Sequence, residues 1–214
     1  MRASPKLPPL VRATVAGLVT GGALFVASPA SAQIKEPGAH PKYSVELEPH
    51  FLVQWEDTDY TTASDGLGLG LRASIPVVDN GPVTTINNNF AIGFGLDWAH
   101  FGNDCGYDYR VAGVLYRASC SGDNFWLPVV AQWNFFFTPV VSAFGELGLG
   151  IRHASWNGGC NGNVNVVGFR CGDYNYTDLN PVFAVGARFH VASSFAITLR
   201  LGFPYFSAGG SFFL

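Results

Sequence analysis

From Tyr43 onward, apolar and polar residues alternate with a period of two, the pattern of strands whose two faces meet different surroundings. Between Tyr43 and Trp55 the odd positions are Tyr43, Val45, Leu47, Pro49, Phe51, Val53 and Trp55, and the even ones include Glu46, Glu48, His50 and Gln54. Leu67, Leu69, Leu71, Ala73 and Ile75 then oppose Gly68, Gly70, Arg72 and Ser74, and Phe90, Ile92, Phe94, Leu96 and Trp98 oppose Ala91, Gly93, Gly95 and Asp97. The alternation returns over 125–137, 141–151, 183–191 and 195–203, and a last segment from Tyr205 puts Phe206, Ala208, Gly210, Phe212 and Leu214 on one face. Eight segments of roughly ten residues are each long enough to cross a bilayer at a tilt. An even number closes an antiparallel sheet without a free edge, which hydrocarbon does not tolerate.

Alternation alone leaves open which face points outward, and the composition of the polar face decides. That face is mostly Gly, Ala and Ser, and its charges balance: Glu46, Glu48, Asp97 and Glu146 against Arg72, Arg152, Arg188 and Arg200. A water-facing surface needs more charge than this, whereas an enclosed lumen needs each charge to find a partner. The glycines suit a narrow interior, with Trp126, Phe136 and Phe144 on inward positions to fill it. The predicted fold is therefore all-β: a closed, antiparallel, eight-stranded transmembrane barrel of up-and-down topology over residues 43–214, with the oily faces toward lipid.

Connection lengths agree with short periplasmic turns and long outer loops. Thr138-Pro139 and Ala192 to Ser194 are short, and Phe101 to Asp123 and Ala154 to Asn180 are long; Pro76 to Asn88 is long for an inner turn. Trp55, Trp98 and Phe125 fall at outer ends, and Tyr43, Phe137 and Phe195 at inner ends, where interfacial aromatics belong. Pro49 and Pro128 interrupt strands and predict bulges. Tyr109 to Ala118 reads as part of a hairpin beyond the membrane.

The first 32 residues read as a secretory signal. Arg2, Lys6 and Arg12 precede the apolar stretch Val15 to Ala27, and Ala30-Ser31-Ala32 offers a cleavage site after Ala32. Removal leaves residues 33–42 as a short periplasmic segment, with both termini of the barrel in the periplasm. The remaining chain has nine Lys and Arg against 15 Asp and Glu, a net charge of −6, which excludes the basic surface nucleic acid requires.

Chemistry is sparse. Cys105 and Cys120 share one long outer loop, and Cys160 and Cys171 the next. In an oxidising compartment these read as disulfides, simplest within each loop among three connectivities; no ligand spacing suggests metal. Acidic outer residues (Asp65, Asp104, Asp123 and Asp178 among them) read as a solvated rim rather than an ion site. The lumen charges either lock the strands in register or line a narrow pore, and eight strands favour packing. The glycine runs lie within strands and open no helix, so they are not phosphate loops. No cofactor is implied.

The chain resembles the small OmpA- and OmpX-type eight-stranded outer-membrane barrels over nearly all of its barrel segment. The most specific piece is Phe206-Ser-Ala-Gly-Gly-Ser-Phe212-Phe213-Leu214, similar to the terminal strand that the barrel assembly machinery recognises, although such strands usually end in an aromatic residue rather than Leu214. The resemblance implies a bacterial outer-membrane location among lipid and lipopolysaccharide, and a non-enzymatic envelope or surface-interaction role with an unidentified surface ligand. A second resemblance is local. His153 and Ser155 resemble the His-x-Ser of outer-membrane lipid A deacylases, but Trp156 stands where that family has Asn. No Glu follows Glu146, so Asp173 or Asp178 would have to orient the histidine. A nucleophile and base without an orienter make an incomplete triad.

Overall fold

The computed structural model describes residues 32–55, 65–102, 108–111, 114–160 and 174–214, with backbone alone at 108–111, 114–120, 158–160 and 174. The strands are β1 (Glu46–Gln54), β2 (Gly66–Val78), β3 (Asn88–Phe101), β4 (Asp108–Val111), β5 (Val114–Phe136), β6 (Val141–Cys160), β7 (Tyr174–Ala192), β8 (Phe195–Phe203) and β9 (Tyr205–Phe213). Every pairing is antiparallel, β9 pairs with β1, and β3 pairs with β5, so eight strands close into the expected barrel. β4 stands apart: it pairs only with Val114–Arg117 of β5, as a hairpin rather than a ninth wall strand.

The register also sets the width of the barrel. Following paired residues from Val53 through Phe206, Leu201, Val185, Gly145, Trp133 and Phe90 leads to Val78, and, with the one-residue irregularity at Pro76/Val78 discounted, the β1–β2 register carries that level on to Tyr43. One circuit thus returns to β1 ten residues below its start, a stagger that tilts the strands and leaves a lumen just wide enough for side chains.

Alternation sorts the two faces as the sequence indicates. Phe51 is 73% exposed and Leu147 68%, while Glu46, Glu48, Arg72, Asp97, Arg188 and Arg200 are all 2% exposed or less. Exposed apolar side chains on every wall strand form a belt, bounded by Trp55, Trp98 and Phe125 at one end and Phe137 and Val191 at the other. The twelve residues of β5 from Phe125 to Phe136, tilted by roughly 40°, span about 30 Å, the thickness of a hydrocarbon core. Among the described residues no helix is long and apolar enough to cross a membrane.

Three expectations are corrected. The long outer connections are largely strand: β5 begins at Val114, β6 runs to Cys160 and β7 starts at Tyr174. Cys120 and Cys160 therefore lie on strands, not in loops. Above the belt the outward face no longer meets lipid, so an oily alternation is no longer required there. Secondly, Pro49 and Pro128 produce no bulge. The β1–β9 ladder omits Glu48 and Pro49, and the β3–β5 ladder omits Leu127 and Pro128, yet the register on either side is unchanged. Each proline faces a glycine across its missing rung, Gly210 and Gly95 respectively, and a Cβ on Gly95 would lie only 2.8 Å from the Pro128 ring. The irregularities occur instead near strand ends, at Pro76/Val78 and His190/Ala192.

The third concerns the inner connection between β2 and β3, whose length has a structural reason. It carries Asn87, fully buried, whose amide donates to the Ile34 carbonyl at 2.8 Å and whose carbonyl accepts from Phe136 N at 3.0 Å. A strap, residues 32–45, is thereby held across the inner mouth.

The belt makes a direct prediction. Leu147→Arg, near mid-depth on the lipid face, should destabilise the barrel in bilayers by about 2–4 kcal/mol, whereas the same change at exposed Asn157 on β6 beyond the belt should be near neutral. Urea unfolding in lipid vesicles reads both.

Candidate functional site

The lumen is organised by three arginines on alternate inward positions of β2, β7 and β8. Arg188 grips Glu46 with two parallel hydrogen bonds of 2.8 and 2.9 Å and donates a third, 2.8 Å, to Asn134. Asn134 donates onward to Asn89 at 2.6 Å, and Asn89 to the Tyr43 hydroxyl at 3.1 Å. Arg200 binds Glu48 bidentately at 2.7 and 2.9 Å, reaches Glu146 at 3.1 and 3.2 Å, and donates to Ser207 at 3.2 Å. Arg72 donates to Glu146 at 3.2 Å and to the Tyr205 hydroxyl at 2.7 Å, and lies 3.5 Å from Asp97, to which Tyr205 also donates. His50 completes this end, with Nε2 3.0 Å from Asp97 and Nδ1 3.1 Å from the Glu48 carbonyl oxygen. Planar guanidinium forks can satisfy two carboxylates at once, which is why buried charges at this density use Arg rather than Lys. The Phe144 ring lies between two of them, with the Arg188 guanidinium 4.1 Å and the Arg200 guanidinium 5.2 Å from its centroid.

Of the eight charges singled out in sequence, the structure brings seven into these clusters and sets Arg152 apart. Arg152 pairs with Asp178 at 2.8 and 3.0 Å near the outer end, its guanidinium 4.9 Å from the Tyr176 ring and 5.6 Å from Trp126. Asn89, Asn134, Phe144, Ser207 and Tyr205 join the lumen contacts. Tyr205 shares the inward parity of Ser207 and Ser211, a signal present in sequence but masked by its aromatic character.

Side chains close the lumen at both ends. At the end where β5 to β7 extend beyond the belt, Phe101 and Trp156 meet with centroids 5.3 Å apart, among Leu52, Ala99, Ala154 and Tyr205. Gly122 leaves the space that Trp156 occupies, since a Cβ there would approach the indole to 2.5 Å. At the inner mouth rings follow in series: His40 on Phe136 (4.7 Å), Phe136 to His190 (6.3 Å), His190 on Phe213 (5.3 Å) and Phe213 to Tyr43 (5.0 Å). His40 and Tyr43 belong to the strap, so the array begins and ends there.

The His153/Ser155 pair lies on the lipid-facing parity just above the belt. His153 Nδ1 meets the Thr177 hydroxyl at 2.9 Å, so a hydroxyl rather than a carboxylate sits at the nitrogen an orienter would hold. Asp178 is committed to Arg152, and Asp173 lies outside the described residues. Trp156 points into the lumen, 4% exposed. Ser155 stands opposite Asp123 in register, and Asp123 accepts from Trp98 Nε1 and lies against His100 Nδ1, each at 3.0 Å. Cys105 and Cys171 lie outside the described residues, and Cys120 and Cys160 are described by backbone alone. No group of His, Cys, Asp and Glu among the described residues is arranged to hold a metal ion.

Neither a protein-family model nor a curated protein sequence matches the chain. Among solved structures the chain is similar to Ail, the attachment invasion locus protein of Yersinia pestis. The likeness to its crystal structure has a TM-score of 0.46 at 14% identity and covers 81% of this chain and 98% of that one. Ail in complex with the heparin analogue sucrose octasulfate matches with a TM-score of 0.44 at 15% identity, over 79% and 96%. Its backbone structure in a phospholipid bilayer nanodisc gives 0.42 at 15%, over 81% and 100%.

Arg200→Met would strand Glu48 without its bidentate partner and remove one of two cations on Glu146. Loss of one member of a buried pair costs about 3–5 kcal/mol, so this variant should be strongly destabilised. Adding Glu48→Met should recover part of the loss, because an apolar pair replaces an uncompensated charge. Equilibrium urea unfolding of the single and double variants measures both.

Proposed function

We propose that the chain is a non-conducting, non-enzymatic barrel of the bacterial outer membrane that holds a β-sheet platform above the lipid for interaction at the cell surface. The β5–β6 ladder carries this reading. It continues without a register shift from Phe136↔Ser142 to Ala118↔Cys160, while the apolar belt ends at Phe125 and Ile151. Lipid explains the belt and not the extra pairs, which are anchored in a wall stiffened by the Arg–carboxylate clusters. In this reading residues 1–32 are a signal removed after Ala32, both termini lie in the periplasm, and β9 presents the assembly signal. Cys105, Cys120, Cys160 and Cys171 form disulfides that brace the platform. Lipopolysaccharide then surrounds the rim of His100, Asp123, His153 and Ser155.

The occluded lumen argues against a pore. Single-channel recording in planar bilayers should give a flat trace, and resolved current steps would remove the structural reading. An epitope inserted between residues 161 and 173 should be reached by antibody on intact cells, and one inserted after Gln33 only after permeabilisation; the reverse would invert the orientation. Without reductant the four cysteines should resist alkylation, and labelling of the native protein would remove the disulfides.

A further inference from the structure

We propose that residues 33–42 of the strap form an acid-released cap over the mouth of the barrel, with His40 as the contact that responds to pH. The geometry concentrates the strap's hold on one buried imidazole. Its own structure is local: a turn over Gln33–Lys35, Glu36 N to the Gln33 carbonyl at 3.0 Å, Ala39 N to the Glu36 carbonyl at 3.1 Å and Gln33 Nε2 to the Ala39 carbonyl at 2.6 Å. It meets the β2–β3 connection through Asn87 N to the Ile34 carbonyl and an exposed Lys42–Asp79 pair at 3.2 Å. An exposed pair of this kind contributes little. Within 33–42 His40 is the one buried residue, whereas Tyr43 and Ser44 beyond it are fixed to the wall through Asn89, Phe213 and the Leu214 carbonyl. His40 is 4% exposed, stacked on Phe136 at an interplanar angle of 16°, and both its backbone N–H and its ring Nδ1 face Asn87 Oδ1, at 3.2 and 2.8 Å.

Around the ring there is little to hold a positive charge. Asn87 offers one acceptor oxygen, already shared by two donors. Lys42, on the strap itself, opposes the charge, and Asp79, the nearby acid, is engaged with Lys42. Lys35 and Glu36 are exposed on the strap's outer side. Beyond Phe136 come His190, whose Nε2 meets Ser142 Oγ at 2.9 Å, and Arg188, whose partner Glu46 is taken up bidentately. Burial accordingly lowers the His40 pKa below its ordinary 6.5, the Asn87 hydrogen bond offsetting part of the effect.

The sign follows from linkage. A histidine whose folded value is depressed binds fewer protons in the capped state than in the released one, so its contribution is complete above 6.5 and declines as pH falls below it. The ratio of released to capped strap then rises about tenfold for each pH unit between 6.5 and the folded value. Small solutes pass the outer membrane, so a periplasmic cap would experience external acid. What opens is the mouth over the Glu46–Arg188 pair, and what is freed is a short tether preceding β1.

The amide of Asn87 reports on the cap, because its hydrogen bond goes to the strap carbonyl of Ile34. Hydrogen exchange by NMR of the full chain in lipid nanodiscs, expressed as protection factors, should show this amide progressively losing protection as pH falls from 7.5 to 5. The Leu214 amide, bonded to the Val45 carbonyl at the root of β1, should keep its protection. The fall should track titration of the His40 ring in the same samples. His40→Phe keeps a stacking ring and removes the titration, so its Asn87 amide should stay protected at pH 5. Constant protection in the wild type, an equal fall in His40→Phe, loss at Leu214 in parallel, or a His40→Phe strap already open at pH 7.5 would each overturn the proposal.

Discussion

Inside a bilayer no water is available to satisfy a backbone N–H or C=O, so every such group at membrane depth must bond within the protein. The wall meets this by closing β1 on β9. The same condition explains how prolines are accommodated within it. Pro49 and Pro128 each withdraw a donor from the ladder on one side only, and each faces glycine there, so the neighbouring strand comes close without losing register. A bulge would have moved every later side chain to the wrong medium.

Closure at eight strands and a ten-residue stagger leaves a lumen too narrow for water to solvate charges. Seven carboxylate and arginine groups nevertheless lie inside it, each within 2.7–3.5 Å of an opposite partner, in two clusters: Arg188 with Glu46, and Arg72, Arg200, Glu48, Asp97 and Glu146 joined through Glu146. Burial of such pairs is costly, and removing one member costs more than removing both. Their value is in specificity: Arg188 on β7 reaches Glu46 on β1, and Arg200 on β8 reaches Glu48 on β1 and Glu146 on β6. Each arginine checks that strands distant in sequence have met in the correct register. Phe144, between two guanidinium groups, fills the space that a pore would need.

The two ends of the barrel differ because their surroundings differ. Outward, β5, β6 and β7 continue past the belt into water, where a sheet needs paired backbone but no oily face. Inward the wall ends near the belt, and the mouth is closed by rings from β5, β7 and β9 together with His40 and Tyr43 of the strap. The wall and the strap are thus held by different interactions, ion clusters in one and in the other stacked rings with a few backbone hydrogen bonds.

Which residues face lipid was legible in the sequence, because a period of two is local and the contrast between bilayer and lumen is large: Phe51, Leu147 and Phe183 are exposed where Glu46, Glu146 and Arg188 are buried. The charge balance of the inner face was legible for the same reason. Partner choice was not, since it depends on shear, a property of the closed sheet. Hence Arg152, on the same parity as the other arginines, binds Asp178 instead of joining them, and Tyr205 enters the ion cluster. Nor were the extensions of β5 to β7 legible, because beyond the lipid an oily outward face is no longer imposed while backbone pairing persists. Faces follow from local chemistry, and contacts across the lumen follow only from register.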